Sequence, residues 1–242
     1  GTRIDSDQYE REQASDFVLW KTRKDGEPYW EFDVNGTACP GRPGWHIECS
    51  AMEYVLLGLP FDIHTGGVDL KFPHHEDEIA QSKAGYGIEP TSFWCHNEFL
   101  EVEGEKMSKS AGNFFTLRDL MAKGVDPLDI RFSMFSAHYA SKFNFTFDGM
   151  AAGRKARFRV QDYIWELYTN PVEPAKEIKS EKITALRDTV YSELANDLHT
   201  PKALGNLFSF INKNAAHTLT NEEVAEAKTF FVNLNEVFAV WE

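Results

Sequence analysis

The feature that most constrains the fold is a strand-length apolar run that stops at a glycine pair. Phe61-Asp62-Ile63-His64 is followed by Thr65 and then by Gly66-Gly67. Such a run is long enough for a strand and too short for a stable helix. Helical patterns flank it, from His46 to Leu57 and from His75 to Ala84. A second short run, Phe17-Val18-Leu19-Trp20, lies upstream, followed by turn-rich chain at Lys24-Asp25-Gly26-Glu27-Pro28 and Cys39-Pro40-Gly41-Arg42-Pro43-Gly44. Strands alternating with helices predict a parallel sheet, so residues 1–117 read as α/β.

The rest of the chain changes character. Residues 118–150 combine a short helix, Arg118 to Lys123 ended by Gly124, with an extended aromatic run, Phe143-Asn144-Phe145-Thr146-Phe147. From about Ala151 to residue 242 the pattern is helical. Thr200-Pro201 predicts a helix start, with Thr as cap and Pro at the first helical position. Asn221-Glu222-Glu223 predicts another, with acid in its first turn.

Composition narrows the function classes. The 242 residues carry 25 Lys plus Arg against 38 Asp plus Glu, a net charge of −13, which gives no overall basic surface for nucleic acid. A local basic face remains open. No apolar run approaches the roughly 18 residues needed to span a bilayer. Three cysteines, Cys39, Cys49 and Cys95, give no disulfide framework and fit a reducing, cytoplasmic setting.

Lys106-Met107-Ser108-Lys109-Ser110 lies between Gly104 and Gly112. Two lysines three apart in a glycine-flanked loop can bring two ammonium groups onto one polyphosphate and stabilise charge on a leaving pyrophosphate. The plainer reading is a solvated basic turn. The whole pentapeptide, however, resembles the lysine loop of class I aminoacyl-tRNA synthetases.

Other residues offer metal and nucleotide chemistry. A helix starting near Pro73 sets His74 and Glu78 on one face. With Cys49 they make an acceptable zinc set of imidazole, carboxylate and thiolate. Cys49 as a small buried apolar residue beside a surface His–Glu pair is the alternative, and His75, Cys39 and Cys95 compete as ligands. His64-Thr65-Gly66-Gly67-Val68-Asp69 ends a strand where backbone can approach a ligand and Asp69 can accept from ribose hydroxyls. Arg154, Lys155, Arg157 and Arg159 form a basic stretch, either a solvated face or a contact for an RNA backbone.

Taken together, the long motifs resemble cysteinyl-tRNA synthetase. They are Asp16 to Lys21, Gly41-Arg42-Pro43-Gly44-Trp45-His46-Ile47-Glu48-Cys49-Ser50-Ala51-Met52, Phe72-Pro73-His74-His75-Glu76-Asp77-Glu78-Ile79-Ala80-Gln81-Ser82, Gly104 to Phe115, Ser136-Ala137-His138-Tyr139, and Asn196 to Leu204. The resemblance implies the second half of a Rossmann-like class I synthetase catalytic domain over 1–117. A stem-contact segment over 118–150 and an all-α helical bundle over 151–242 would follow. It implies ATP-dependent activation of L-cysteine, with Mg2+ accompanying ATP, and transfer to tRNA(Cys). Cys49, His74 and Glu78 would be three ligands of a Zn2+ that binds the substrate thiol, with Trp45 beside the cysteine. His64, Gly66, Gly67 and Asp69 would sit on the adenylate side. Lys106 and Lys109 would act on the phosphates, with Lys109 in direct contact with ATP.

The family's N-terminal phosphate motif, its fourth zinc ligand and its anticodon-binding region have no counterpart in these residues. The expectation is therefore a fragment, inactive alone, with an apolar sheet edge left open. Thr65 and Glu98 stand where the family usually or often has glycine. Two other readings are a mycothiol-type cysteine ligase acting on an amino sugar and a non-catalytic zinc- or RNA-binding remnant. Intact Lys106 and Lys109 argue against the latter.

Overall fold

The structure is a computed structural model that describes residues 16–108, 110 and 112–242. The chain forms two compact units, Gly1–Asn97 and Glu98–Glu242. The first begins with β1 (Trp20–Thr22), β2 (Asp33–Val34), β3 (Thr37–Ala38) and β4 (Gly41–Pro43). The sequence between β2 and β3 is Asn35-Gly36, both at positive φ, which is the turn a two-residue hairpin needs. Asp33 Oδ1 accepts from Gly36 N at 2.7 Å and closes it.

Helix α1 (Trp45–Leu56) leads to β5 (Phe61–Gly67). A 3₁₀ turn (Val68–Leu70) and a wide turn (Lys71–His75) run into α2 (Glu76–Tyr86), then β6 (Thr91–Asn97). Three acids, Glu76, Asp77 and Glu78, occupy the first turn of α2, where the helix dipole favours them. Gly87 at φ 70° ends the helix in the left-handed conformation. β5 and β6 pair in parallel, with Ile63 opposite Phe93 and His64 opposite Trp94.

The upstream apolar run is a correction. Of Phe17 to Trp20, only Trp20 is in a strand, and β1 pairs antiparallel with β4 rather than joining the parallel sheet. A strand needs a ladder partner, and the partner here is Gly41–Pro43. Gly41 and Gly44 let that backbone lie against Lys21 and Val18, since a Cβ on either would fall about 2 Å from a carbonyl oxygen (2.1 and 1.9 Å).

The second unit opens with β7 (Leu100–Val102) and β8 (Glu105–Lys106), a hairpin turned by Glu103-Gly104. After α3 (Leu117–Ala122) and α4 (Pro127–Met134) comes β9 (Phe143–Phe145), which pairs in parallel with β7. Residues 100–106 therefore share a sheet with residues 143–145, across the 117/118 point that the sequence patterns suggested. Four helices follow: α5 (Phe147–Thr169), α6 (Glu181–Ala195), α7 (Thr200–Lys213) and α8 (Asn221–Phe238).

Two helix starts differ from expectation. α5 begins at Phe147, because the Thr146 hydroxyl accepts from Gly149 N at 2.9 Å and caps it. Phe147 thus leaves the aromatic strand. Thr200 is the first residue of α7 rather than its cap, since His199 holds that position. α8 starts at Asn221 as expected, secured by a reciprocal Thr220–Glu223 capping box.

The main core lies among α4 to α8. Val160, Leu167, Ile183, Leu207, Phe230 and Leu234 are fully or nearly fully buried in it. A smaller cluster, Val102, Leu120, Ile130, Phe145 and Met150, sits under the hairpin.

Candidate active site

The first unit builds its interior from polar groups. α1 carries His46, Cys49 and Glu53, spaced three and four apart, so they share one face. The wide turn and α2 supply His74, His75, Asp77 and Glu78, and β5 and β6 supply His64 and His96. Glu78 is wholly buried, 0% exposed. Its Oε1 lies 2.8 Å from His74 Nε2 and its Oε2 3.6 Å from His64 Nε2. Neither oxygen receives a well-aligned hydrogen bond. A carboxylate buried in that state is costly unless a cation compensates it.

Two overlapping groups of ligand-type atoms converge to within 4.8 Å: Cys49, His74 and Glu78, and His64, His75 and Glu78. The expected triad is therefore brought together, and His75 enters through the second group. Cys39 and Cys95 belong to neither. Cys39 sits in the β3–β4 connection with its carbonyl accepting from Trp20 Nε1, and Cys95 pairs with Thr65 in the sheet.

The electrostatics suit a cation. Burial, and then the negative charge of Glu78, push the Cys49 thiol up to about 11, so without a cation it stays protonated at neutral pH. A bound divalent ion would reverse that balance and draw out the thiolate. Burial lowers His75 to about 4 and also lowers His96, so both are neutral ligand-type imidazoles at pH 7. The hydrogen bond that the His64 ring donates to the Glu53 carboxylate raises His64, against the effect of burial. Thiol, imidazole and carboxylate are the donor set that zinc accepts.

Further groups position this set. His46 and His74 touch through their Nδ1 atoms, and His46 Nε2 lies 3.4 Å from Asp77 Oδ2. His75 Nδ1 meets His96 Nε2 at 2.8 Å. Trp45, half exposed, stacks on His74 with centroids 4.2 Å apart. Trp94 stacks on His64 at 4.6 Å. Sequence reasoning missed His46, Glu53, Asp77 and His96 as parts of the cluster. The spacing of His46 and Glu53 about Cys49 held the signal for two of them. His96 becomes visible only through the register that sets it beside Gly66.

The glycine pair has an internal reason as well. A Cβ on Gly66 would lie 2.6 Å from the His75 ring, and one on Gly67 2.4 Å from Asp69 Oδ1. The close approach that these glycines permit is thus to the histidine cluster and to Asp69. Asp69 is exposed in the 3₁₀ turn at the carboxyl end of β5.

In the second unit, Lys106 ends β8 with its ammonium 4.3 Å from the centre of the Phe99 ring. Asn113 reaches back to this end of the hairpin: Oδ1 accepts from Ser108 N at 2.9 Å, and Nδ2 donates to Lys106 O at 3.2 Å. Lys109 lies outside the described residues.

The basic stretch on α5 divides. Arg154, Lys155 and Arg159 are exposed. Arg157 is a correction, for it is only 3% exposed and belongs to the interior. Its Nε donates to Asp129 Oδ1 at 2.7 Å and its Nη1 to Val240 O at 3.2 Å. Helical periodicity turned the third of four basic residues inward, where Asp129 balances it.

Comparison with known proteins identifies the family and the fold. The family model of tRNA synthetases class I (C) catalytic domain matches residues 2–155. A Cysteine–tRNA ligase of Solibacter usitatus is 48% identical over 212 residues, covering 87% of this chain and 45% of that protein. One of Koribacter versatilis is 42% identical over 248 residues, covering 99% and 49%. The chain spans about half the length of the curated relatives it matches. The LeuRS of Agrobacterium radiobacter K84, solved in a ternary complex with tRNA and LeuAMS, shares the fold. It superposes with a TM-score of 0.65 at 16% identity, over 91% of this chain and 35% of that one. The converging ligand set, the lysine loop, the α/β-then-helical order and these matches lead to one conclusion: the chain belongs to the class I (C) family of tRNA synthetase catalytic domains.

Proposed function

We propose that this chain forms part of a cysteine–tRNA ligase, which activates L-cysteine with ATP and Mg2+ to cysteinyl-adenylate and transfers it to tRNA(Cys). The observation that carries the reading is the convergence of Cys49, His74 and Glu78 around a wholly buried carboxylate. These three residues would hold Zn2+. Zinc, when bound, supplies a Lewis acid that prefers a substrate thiolate over a serine hydroxyl, a distinction that packing alone makes poorly. Trp45 would wall the cysteine, and His46, through His74, would fix the orientation of that ligand.

His64, Gly66, Gly67 and Asp69 would receive the adenylate at the carboxyl end of β5. Lys106 and Lys109 would neutralise the charge that builds on the phosphates as the cysteine carboxylate attacks the α-phosphorus and pyrophosphate leaves. Catalysis is then orientation and electrostatic stabilisation, with no protein nucleophile. Arg154, Lys155 and Arg159 would lie along the tRNA backbone. Residues 1–117 would be catalytic, 118–150 would contact the acceptor stem and 151–242 would form the tRNA-side bundle. The free cysteines suit a cytoplasmic setting. No described helix is long and apolar enough to cross a membrane.

The test is ATP–pyrophosphate exchange by the gene product that carries this sequence, with serine as the control amino acid. Cysteine alone supports exchange under this proposal. Equal exchange with serine, or none with cysteine, contradicts it. Transfer to an amino sugar instead of tRNA would favour a mycothiol-type ligase.

A further inference from the structure

The turn between α6 and α7 holds two consecutive non-glycine residues in the left-handed region, Asp197 and Leu198, both at φ 54°. Side chains disfavour that conformation, and it persists only where surrounding contacts enforce it. Leu198 is exposed, so apolar burial is not the reason. The enforcing contacts come from the segment after α4. The Tyr139 hydroxyl donates to Asp197 Oδ1 at 2.6 Å. His138 Nδ1 accepts from Ala140 N at 3.2 Å, so its proton sits on Nε2, which donates to Asp197 O at 2.7 Å. The His138 ring also meets His199 edge-on at 5.2 Å.

The same segment grips the base of the lysine hairpin. Tyr139 O accepts from Glu98 N at 2.9 Å. Phe99 O then accepts from Phe143 N at 3.3 Å, and the Phe99 ring underlies Lys106. Leu100 and Phe143 continue as the β7–β9 pair. An unbroken line of contacts therefore joins the α6–α7 corner, through His138 and Tyr139, to the ring on which Lys106 rests.

We infer that Asp197 is a positioning residue for Lys106, clasping the helical bundle to the base of the hairpin that carries the lysine loop. It acts through Tyr139 and Glu98 and touches no substrate. The inference rests on reading Lys106 as a phosphate-binding group. It gives the left-handed corner a purpose: a turn relaxed into ordinary geometry would carry the carboxylate away from Tyr139.

Amide hydrogen exchange on the chain tests the clasp without reference to activity. In Asp197→Ala, the amides of Glu98, Met107 and Phe143 exchange about tenfold faster, while those of Ile183, Leu207 and Phe230 keep their protection. Asp197→Asn restores slow exchange, because Asn keeps an acceptor oxygen and tolerates the left-handed region. Tyr139→Phe gives the same pattern and replaces Asp197→Ala should that variant not fold. Hairpin amides left unchanged, or bundle and hairpin accelerated alike, would overturn the clasp. In pyrophosphate exchange by the gene product that carries this sequence, Asp197→Ala lowers kcat about tenfold with the KM for cysteine unchanged. A loosened hairpin with full kcat would overturn the positioning role. Absence of exchange in the unaltered protein would instead count against the ligase reading and leave the hydrogen-exchange result standing.

Discussion

The two units bury opposite things. In Glu98–Glu242, the buried side chains are mostly apolar, from Val102 to Trp241. In the described part of Gly1–Asn97, the buried side chains other than Pro90 are polar: His46, Ser50, His74, His75, Asp77, Glu78, Ser82 and Thr91. That unit leaves its large apolar groups outside, among them Val55, Leu56, Leu57, Ile63 and Phe93. Apolar burial drives folding, so the second unit is held by its own core. The first spends its interior on a ligand-type cluster that is unfavourable until something charged sits in it. The apolar core and the ligand-type cluster are segregated along the chain.

The largest effects should separate the units by apolar truncation. Leu207→Ala or Phe230→Ala should destabilise the chain by about 3–5 kcal/mol, measured by chemical denaturation. Phe93→Ala, at a position two-thirds exposed, should cost about 0.5 kcal/mol or less. Equal costs would break the contrast.

Buried charges should respond with opposite signs. Arg157→Met removes the close partner of buried Asp129, leaving it only the longer contact to exposed Arg154 at 3.8 Å, and should cost about 3 kcal/mol. Glu78→Gln removes a buried carboxylate that lacks aligned donors, and should stabilise the metal-free chain by about 1–3 kcal/mol while abolishing metal binding. A destabilised metal-free Glu78→Gln chain would show that Glu78 is structural.

An acid-sensitive anchor should appear in the second unit. Burial of Glu226 acts to raise its carboxyl, but the Ser180 hydroxyl and the Lys179 and Ser180 N–H groups outweigh it and hold the group below its ordinary 4.5. A lowered folded-state value means that the stabilisation is fully present above about pH 4.5 and fades as pH falls through the folded value. Helicity of the Glu226→Gln variant should therefore fall less steeply in acid. An unchanged acid limb would remove Glu226 from this role.

The smallest effects belong to the exposed bases. Lys155→Ala and Arg159→Ala should leave stability within about 0.5 kcal/mol, while each lowers the salt dependence of tRNA binding by about one unit of slope. A salt slope unchanged in both variants would clear α5 from the RNA contact.

The legible parts of this molecule were those fixed by local chemistry. Gly124 as a helix stop, the acid-led start of α8 and the β5 strand ending in Gly66-Gly67 are all short-range decisions. So is the His74–Glu78 pair, four residues apart on one turn of chain. What escaped depends on partners distant in sequence. Phe17 to Trp20 has strand composition, yet pairing with Gly41–Pro43 limits its strand to Trp20 onward. Arg157 looks like its basic neighbours until Asp129 draws it inward. His96 joins the cluster because a parallel register carries it beside Gly66, which no spacing along the chain reveals.

The most direct test of the zinc assignment is the metal content of the purified gene product that carries this sequence and of its Cys49→Ser variant. One zinc per protein is expected, lost in the variant, with cysteine binding lost alongside it. Full zinc retention in Cys49→Ser would contradict the assignment of Cys49, His74 and Glu78 as the ligand set.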